Sequence, residues 1–281
     1  MKEKIILITG CSSGIGFDAV FTLKKRGYRV IGSCRKKEDV QKLLDRGVEA
    51  VQLDVSDSTS IQNGFAEVLV KTAGRLDVLI NNAGYGQAGA LEDIRRDVMR
   101  AQFETNVFGL LELTNQAIPI MRKQGYGRII NISSILGIVS MPFRGAYNAS
   151  KYAVEGISDT LRLELKSSGI DVITIEPGPI ESRFRDNSVD NSLNNIDMQH
   201  SYFSKQYERM LTSFKQKKTD SFFTRKTEAV IDSLIHAIES KKPKARYPVT
   251  FPAHLMIFLK WILSVKMLDK FFLQVSKKEL S

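Results

Sequence analysis

Short apolar runs alternate with segments of helical periodicity over the first two-thirds of the chain. Six runs predict buried strands, at residues 4–9, 29–33, 50–53, 78–81, 128–133 and 171–176. Helical patterns lie between them, at residues 14–26, 58–73, 97–123 and 147–168. Strands that are apolar on both faces need helices on both sides, so the pattern predicts an α/β fold with a doubly wound parallel sheet. Such a sheet binds ligands beyond the carboxyl ends of its strands.

The chain after residue 178 is more irregular. Residues 183–201 are polar and rich in Asn, which predicts a mobile loop inside a substrate loop or lid over 179–224. An amphipathic helix is predicted at 227–240 and a last strand at 244–249. These elements complete one domain.

That domain is predicted over residues 1–250, followed by an apolar, basic and helical C-terminal extension over 251–281. Within the extension, the apolar residues of 251–265 surround the helix on nearly every side, which favours burial. The run is shorter than the roughly 20 apolar residues that a membrane-spanning helix needs.

Composition narrows the class of protein. The 281 residues are 43% hydrophobic, which suits a packed core and excludes a mainly disordered chain. Two cysteines cannot form a disulfide framework, and no His/Cys cluster has zinc spacing, so no metal site is predicted. The apolar run near the N-terminus is too short for a signal peptide, and we expect a cytoplasmic protein.

The net charge of +10 is unevenly distributed. Residues 201–281 hold 16 Lys and Arg against 7 Asp and Glu, whereas residues 1–200 hold 25 against 24. A nucleic-acid binder would be basic more uniformly, so we expect no nucleic acid as partner. The basic C-terminal part indicates an anionic cofactor, a membrane surface, or only a solvated rim.

A glycine-rich turn follows the first strand. The segment Thr9-Gly10-Cys11-Ser12-Ser13-Gly14-Ile15-Gly16 leads directly into a helix. The glycines allow a tight turn, a close approach to a pyrophosphate and close packing of the helix, whose N-terminus attracts phosphate. The spacing GxxxGxG between a strand and a helix therefore predicts dinucleotide binding, against the alternative of a plain tight turn.

The end of the second strand indicates which dinucleotide. An NAD site usually places Asp or Glu there to hold the ribose 2′-hydroxyl. Here the residues are Arg35, Lys36 and Lys37, with no acid before Glu38. Three cations would bind a 2′-phosphate, so NADP(H) is favoured, with NAD(H) as the alternative cofactor and a solvated basic turn as the alternative role.

Three residues near the fifth strand have the chemistry of proton transfer. Tyr147 and Lys151 lie four residues apart, on one face of a predicted helix, and Ser134 follows the fifth strand. An ammonium beside Tyr147 favours the phenolate, so the phenol would exchange a proton with a substrate oxygen while hydride moves to or from nicotinamide. Ser134 would hold the same oxygen, and Lys151 would also bond the nicotinamide ribose.

In this combination the chain resembles the short-chain dehydrogenase/reductase family over about residues 4–182, which implies a Rossmann fold. The matching motifs are TGCSSGIG at 9–16, LDV at 53–55, NNAG at 81–84, Asn106 in ETNVFG, and the Pro177-Gly178 turn. The resemblance implies that Asn106 supports a water relay to Lys151 and completes a catalytic set with Ser134 and Tyr147. A Thr usually follows the Pro-Gly turn to contact the carboxamide; here the candidate is Ser182.

The implied site has open alternatives. Asn106 would merely kink its helix, Asn82 would link strands, and Asp54 would be an ordinary turn residue. The cofactor-binding residues predicted from the residues and the resemblance together are Gly10, Ser12, Ser13, Gly14, Ile15, Gly16, Arg35, Asp54, Val55, Asn82, Ala83, Gly84, Tyr147, Lys151, Pro177, Gly178 and Ser182.

The substrate site is predicted to be apolar. The loop between Ser134 and Tyr147 is rich in Ile, Leu, Val, Met and Phe. The resemblance, in Cys34-Arg35 and the long extension, points to the subgroup that acts on steroids, retinoids and other lipophilic alcohols or aldehydes. A hydrophobic lid, or alternatively core or subunit contacts, is expected from Tyr202, Phe203, Tyr207, Met210, Leu211 and Phe214.

The sequence thus predicts an NADP(H)-dependent oxidoreductase that interconverts a lipophilic ketone or aldehyde and its alcohol. The alternatives are a catalytically weak, cofactor-sensing binding protein on the same fold and a membrane-surface lipid carbonyl reductase. The extension would pack over the cleft, lie on a membrane or mediate oligomerisation. The family often pairs its long helices, so the resemblance implies a homo-oligomer.

Overall fold

The computed structural model describes residues 3–215 and 224–280, with side chains over 3–212 and 224–276. Its seven strands form one parallel sheet in the order β3-β2-β1-β4-β5-β6-β7. The bounds of the strands are Ile5–Ile8 (β1), Arg29–Cys34 (β2), Glu49–Gln52 (β3), Val78–Asn81 (β4), Gly127–Ile132 (β5), Ile170–Glu176 (β6) and Arg246–Pro248 (β7). Every pairing is parallel, which confirms the doubly wound sheet and all seven predicted strands.

Helices cover both faces of the sheet. Their bounds are Gly14–Lys25 (α1), Lys37–Asp45 (α2), Ser58–Lys71 (α3), Arg96–Phe103 (α4), Gly109–Gln124 (α5), Gly145–Glu164 (α6), Phe184–Asn195 (α7), Ser204–Lys215 (α8), Glu228–Glu239 (α9), Phe251–Ile262 (α10) and Val265–Leu280 (α11). The helical C-terminal extension predicted from the sequence is therefore confirmed. Within 3–215 and 224–280, no helix is long and apolar enough to cross a membrane.

The strands are apolar on both sides because each side faces a helical layer. In β1, Ile6 and Ile8 pack in the core cluster that holds α1 and α9, whereas Ile5 and Leu7 pack in the cluster that holds α3, α5 and α6. This alternation follows the two-residue period of a strand. The strand order reverses at β1, between β2 and β4, and opens a crevice there for a ligand.

Two helical predictions were wrong in detail. The single helix predicted at 97–123 is divided into α4 and α5 by a π-helical turn at Glu104–Phe108. The mobile loop predicted at 183–201 contains α7. The Ser192 hydroxyl of α7 is buried and donates to the Ala88 carbonyl. A tertiary contact of this kind outweighs the weak helix propensity of an Asn- and Ser-rich segment.

The prediction that the 251–265 run is buried was also wrong. Pro252 and Ala253 are buried, but Phe258 is 54% exposed and Trp261 is 83% exposed. The run is apolar all round because one side of α10 packs on the molecule while the other side, equally apolar, faces outward.

Candidate active site

Backbone contacts in the turn after β1 leave no room for side chains. A Cβ on Gly10 would lie 2.7 Å from the Ala83 Cα, and one on Gly16 would lie 2.5 Å from the Gly10 carbonyl oxygen. Gly10 and Gly14 have positive φ angles of 72° and 60°. At the start of α1, the N-cap Ser13 makes no side-chain capping bond and the first turn holds no acid. The N–H groups of this turn and the helix dipole therefore fit a phosphate group.

Thr9 joins this turn to the end of β4. Its buried hydroxyl accepts hydrogen bonds from the backbone N–H groups of Asn82 at 3.1 Å and Ala83 at 3.0 Å. The Asn82 amide donates to the carbonyls of Thr9 and Gly10, at 2.9 and 3.1 Å. Asn82 is thus a link between strands, as the structural alternative expected. Sequence analysis missed Thr9, although its place between the strand and Gly10 was a usable signal.

The flanking residues of the turn differ in exposure. Ser12 is exposed, whereas Ile15 is half-buried and packs against the core cluster below α1. The Ser182 Cβ lies 3.5 Å from where a Cβ on Gly14 would lie. Ser182 therefore lies over the glycine-rich turn.

The end of β2 is positively charged. Arg35 is exposed directly after the strand, and its carbonyl accepts a hydrogen bond from the Gln52 amide at 3.0 Å. Burial raises the pKa of Tyr85, and the charge of Arg35 opposes this rise. Because Tyr85 follows β4, the Arg35 charge reaches the crevice beyond the carboxyl ends of β2, β1 and β4. The edge suits a 2′-phosphate better than a bare 2′-hydroxyl.

Asp54 and Val55 follow β3. The Asp54 carboxylate accepts hydrogen bonds from the Ser56 N–H at 2.9 Å and the Ser56 hydroxyl at 2.7 Å, which closes a local turn. Val55 is buried beneath the start of α5, where a Cβ on Gly109 would overlap the Val55 carbonyl oxygen. The Asp54 carboxylate is thus engaged within its own turn.

The four residues of the predicted catalytic set lie around the carboxyl ends of β4 and β5. Ser134 follows β5, Tyr147 and Lys151 lie one turn apart in α6, and Asn106 lies in the π-helical turn. The Lys151 Nζ lies 5.8 Å from the centroid of the Tyr147 ring and donates to the Ile132 carbonyl at 2.7 Å. The Ser134 side chain acts on Tyr147 closely enough to lower the pKa of its phenol. This group can bind and protonate an oxygen atom.

Asn106 holds the loop after β4. Its Oδ1 accepts from the Tyr85 N–H at 3.1 Å, and its Nδ2 donates to the Tyr85 carbonyl at 2.9 Å and the Ser150 hydroxyl at 3.1 Å. A Cβ on Gly84 would lie 3.1 Å from the Asn106 Oδ1 and 3.8 Å from the Lys151 Nζ. The π-helical turn thus brings Asn106 towards Lys151, and such turns often occur at functional sites.

The pKa of Tyr147 is shifted in the direction opposite to the one that its sequence position beside Lys151 predicts. Burial raises the pKa of Tyr147 to about 12, although the Ser134 side chain and the Arg144 charge oppose the rise. Burial lowers the pKa of Lys151 to about 8, and the charge of Glu155 opposes this shift. Burial therefore outweighs the expected stabilisation of the phenolate by Lys151. At neutral pH the Tyr147 phenol is protonated and able to donate.

The Pro-Gly turn after β6 borders this group. The Pro177 carbonyl accepts from the Ile135 N–H at 3.0 Å. A Cβ on Gly178 would lie 2.1 Å from the Thr250 hydroxyl oxygen, so the turn packs against the start of α10. The Ser182 hydroxyl, four residues on, accepts from the Phe184 N–H at 3.4 Å.

The wall beside Tyr147 is apolar. The loop after β5 and the two C-terminal helices share one hydrophobic cluster, which includes Tyr147 itself. The Phe184 ring of α7 closes another side, 5.3 Å from the Tyr147 ring centroid. The buried members of the cluster are Ile135, Leu136, Val139, Met141, Ala253 and Phe272.

Of the residues predicted to form a hydrophobic lid, several are buried in the protein and do not form an outer cover. Tyr207 is 1% exposed, and its hydroxyl accepts from the Ala90 N–H and donates to Asp93. Phe143 contacts the rings of Phe203 and Tyr207. Met210 is also buried, Leu211 is half-buried and Tyr202 is exposed. The inner members of the set are thus core, as the alternative expected, while the side chain of Phe214 and residues 216–223 lie outside the described part of the chain.

An acidic cluster behind Lys151 escaped sequence analysis. Glu155 and Glu176 are buried, and the Arg246 guanidinium lies 3.0 Å from the Glu155 Oε2 and 3.3 Å from the Glu176 Oε1. Burial raises the pKa of Glu176 to about 7. Glu155 follows Lys151 by one turn of α6, a spacing visible in the sequence, but Arg246 comes from β7 and only the sheet brings it close.

Comparisons with known proteins agree with this geometry. The family model described as short chain dehydrogenase matches residues 4–192. The chain belongs to this family and is an oxidoreductase acting on CH–OH or carbonyl groups.

Individual relatives cover almost the whole chain. It is 41% identical over 270 residues to the uncharacterized oxidoreductase YbbO of Escherichia coli strain K12, covering 96% of this chain and 94% of that one. It is 32% identical to the NADPH-dependent 3-dehydrocapnine reductase of Ornithobacterium rhinotracheale, covering 97% of each. The crystal structure of a short-chain dehydrogenase from Streptomyces avermitilis superposes with a TM-score of 0.79, at 29% identity over 99% of each chain.

Proposed function

We propose that the protein is an NADP(H)-dependent reductase of a lipophilic ketone or aldehyde, with Tyr147 as the group that exchanges the proton. The observation that carries the proposal is the set of buried Ser134 and Lys151 with half-buried Tyr147 at the end of β5, beside an apolar wall. The raised pKa of Tyr147 favours the direction of carbonyl reduction, because a protonated phenol donates its proton to the developing alkoxide.

Each polar residue has a distinct proposed role. Ser134 binds the substrate oxygen, and Tyr147 gives it a proton. Lys151, with a pKa lowered to about 8, returns a proton to the site and holds the cofactor ribose. Asn106 orients the loop after β4 and supports the supply of protons to Lys151. Together these roles place all proton handling on one face of α6 and the adjoining loops.

The cofactor would be held by backbone more than by side chains. The residues Gly10 to Gly16 would receive the pyrophosphate, Arg35 the 2′-phosphate, and the segment Asn82 to Gly84 the adjoining ribose and base. When bound, NADPH supplies the hydride for carbonyl reduction. The NADPH requirement of the 3-dehydrocapnine reductase supports NADP(H) over NAD(H). Ser182, above Gly14, and the Pro177-Gly178 turn would complete the site.

The lipophilic substrate is inferred from the wall of the site. Side chains of the loop after β5, of α7 and of α10 and α11 around Tyr147 are apolar. An apolar wall with one polar end selects a substrate whose carbonyl is its only polar group near the reacting carbon. We propose that the lid over 179–224 covers this substrate within a 1–250 domain, and that 251–281 is a separate extension.

The conversion of Tyr147 to Phe tests the chemistry. NADPH oxidation with a panel of aliphatic and aromatic aldehydes and ketones should fall about 100-fold or more, because the proton donor is lost. NADPH binding, followed by cofactor fluorescence, should be unchanged. The matched control is Tyr126→Phe, at a side chain that is 47% exposed just before β5, at the strand end opposite the site, which should keep full activity. Full turnover in Tyr147→Phe would show that Tyr147 is not the proton donor. An unaltered protein that binds NADPH but reduces no member of the panel would instead support a weakly catalytic cofactor-binding protein.

The conversion of Arg35 to Asp tests the cofactor. The affinity for NADPH should fall about tenfold or more while that for NADH changes little, because the lost contact is with the 2′-phosphate. Lys123→Asp, an exposed cation at the end of α5, is the control for total charge. Equal affinity of the unaltered protein for NADH and NADPH would contradict the preference.

We also propose that the protein is a homo-oligomer joined through its long helices. Leu163 of α6 is 69% exposed and Phe108 before α5 is 51% exposed, as expected for an interface between copies. Light scattering should show a defined oligomer that Leu163→Glu dissociates. Val70→Glu, at a position of α3 that is 83% exposed, should leave the oligomer intact.

A further inference from the structure

The outward side of α10 is an exposed apolar surface, here called the outer stripe. It consists of Phe251, Leu255, Phe258, Trp261 and Ile262, all of which are exposed. Four of the five recur at a spacing of three or four residues, which puts them on one side of the helix. Val265 extends the stripe past the end of α10 and is 75% exposed. A contiguous apolar surface of this kind indicates an interaction site.

The opposite side of α10 is held firmly on the molecule. Met256 and Ile257 pack into the hydrophobic cluster that also contains Tyr147. The Lys260 Nζ donates to the Ile138 carbonyl and lies 5.3 Å from the centroid of the Tyr152 ring. These contacts set the orientation of α10, so the outer stripe faces outward as part of the folded structure.

Positive charge accompanies the stripe. Lys266 and Lys270 are exposed and lie one turn apart in α11, immediately after Val265. The whole segment 251–281 contains five Lys against two acids, whereas residues 1–200 are nearly neutral. Exposed apolar and aromatic side chains beside lysines are typical of helices that lie at the surface of an anionic bilayer.

A second copy of the chain fits these features less well. A two-fold interface centred near Val265 would bring Lys266 and Lys270 of both copies towards one another. The repulsion between like charges would oppose such a dimer. A bilayer surface with anionic lipid headgroups accepts both the apolar side chains and the lysines, and the exposed Trp261 suits the level of the headgroups.

We propose that the outer stripe is the face by which the protein docks on an anionic membrane surface. α10 and α11, with 12 and 16 residues, lie in the interface and do not cross it. Their inner side walls the cleft at Tyr147, so a lipophilic substrate passes from the bilayer to the site beside these helices. This last step rests on the proposed function, whereas docking itself does not.

Trp261 reports docking directly because it is the only tryptophan in the chain. The full-length protein is titrated with vesicles of phosphatidylcholine alone or with three-tenths phosphatidylglycerol, and tryptophan emission is followed. We expect a blue shift with the anionic vesicles, a much smaller shift with the neutral ones, and reversal by high salt. Flotation of the vesicles with bound protein gives the partition coefficient independently.

Two sets of variants locate the contact. Phe258→Gln combined with Ile262→Gln should lower the partition coefficient about tenfold or more, because it removes apolar surface and keeps Trp261 as reporter. Lys266→Glu combined with Lys270→Glu should lower it by a similar factor on anionic vesicles only. The control is Tyr202→Gln, an equally exposed aromatic position outside the tail, which should bind like the unaltered protein.

The outcomes separate docking from catalysis. No shift with any vesicle overturns the proposal, as does a partition coefficient that Tyr202→Gln lowers as much as Phe258→Gln combined with Ile262→Gln does. Self-association in the absence of lipid that Phe258→Gln combined with Ile262→Gln abolishes would show that a second copy covers the stripe, and also overturns the proposal. Carbonyl reduction in solution, without vesicles, should be unaffected by the stripe variants. The absence of reduction with every aldehyde and ketone of the panel would contradict the proposed function and leave the docking result standing.

Discussion

The glycine-rich turn after β1 and the helices α10 and α11 border the same cleft but are packed in opposite ways. Around the turn, missing side chains let backbones touch: a Cβ on Gly16 would lie 2.5 Å from the Gly10 carbonyl. Around the tail, apolar side chains are abundant, yet Trp261 and Phe258 are more than half exposed. Gly10 and Gly16 of the turn have no room for a side chain, whereas the outer face of the tail has no neighbour within the described residues to constrain it. The following predictions test this difference.

The largest loss is expected from Gly16→Ala. The new methyl would overlap the Gly10 carbonyl, which is fixed backbone, and the Asn82 amide, which donates to that carbonyl in a part-buried hydrogen bond. We expect a loss of about 3 kcal/mol or more in the free energy of unfolding, together with loss of NADPH binding. Urea denaturation and cofactor fluorescence measure the two effects.

The matched control is Gly156→Ala in α6. This glycine is exposed, and beyond its own helix turn no heavy atom lies within 4 Å of the point that a Cβ would occupy. The change should stabilise the protein by about 0.5–1 kcal/mol because alanine is the better helix former. Equal effects of the two substitutions would show that the turn is not packed as tightly as its geometry indicates.

The second prediction compares two adjacent residues of α11, one buried and one exposed. Phe272 is 5% exposed within the cluster beside Tyr147, whereas Leu273 is 53% exposed. Phe272→Ala should cost about 3 kcal/mol because it leaves a cavity. Leu273→Ala should change stability by less than about 0.5 kcal/mol. Similar losses for the two variants, measured by urea denaturation, would mean that the outer side of the tail is covered in solution.

The third prediction concerns Arg246, which connects the last strand to the acids behind Lys151. The folded pKa of Glu176, about 7, lies above its ordinary value of 4.5. Its contribution to stability is therefore complete below about pH 4.5 and is lost as the pH rises through about 7. Arg246→Met removes the cation that opposes this shift, so the loss should reach about 2 kcal/mol at pH 8 and be smaller at pH 5.

Urea denaturation at the two pH values measures this difference. Arg162→Met is the control, since Arg162 pairs with Asp159 at 2.8 Å on the surface and should contribute less than about 0.5 kcal/mol at either pH. A loss for Arg246→Met that is larger at pH 5 than at pH 8 would contradict the assigned direction of the Glu176 pKa shift.

The smallest effect is expected at Thr9. Thr9→Val removes the hydroxyl that accepts from the N–H groups of Asn82 and Ala83 and should cost about 1–2 kcal/mol. Thr9→Ser keeps the acceptor and should recover most of the loss. Hydrogen exchange at the amides of Asn82 and Ala83 should quicken in the first variant only; equal exchange in both would show that this hydroxyl does not hold the two strands together.

The local pattern of apolar and polar residues predicted the strands of the sheet. The helices that it missed have identifiable physical causes. The strands at the centre of the sheet are short apolar runs, and all seven strands were found. α2 was missed because its segment is mostly charged and buries only Leu43. α7 was predicted as a loop because Asn and Ser favour turns in isolation, whereas the contact of Ser192 with Ala88 holds them in a helix.

For the candidate site, the spacing of Tyr147 and Lys151 and the order of the motifs could be recognised from the sequence. Their proposed roles still await the substitutions described above. The contact of Arg246 with Glu155 could not be predicted from the sequence, because 91 residues separate the two and only the pairing of β6 with β7 brings them together. The rise in the Tyr147 pKa could not be predicted either, because burial depends on everything packed around the ring.

The sequence by itself determined the doubly wound sheet, the family and the positions of the glycine-rich turn and the Tyr147–Lys151 pair, because these depend on periodicities and spacings of a few residues. Only the tertiary structure decided which apolar side chains of α10 are buried, which acids share Arg246 and whether Tyr147 is protonated. Burial and electrostatics sum over neighbours that are distant in the chain, and no local pattern contains them.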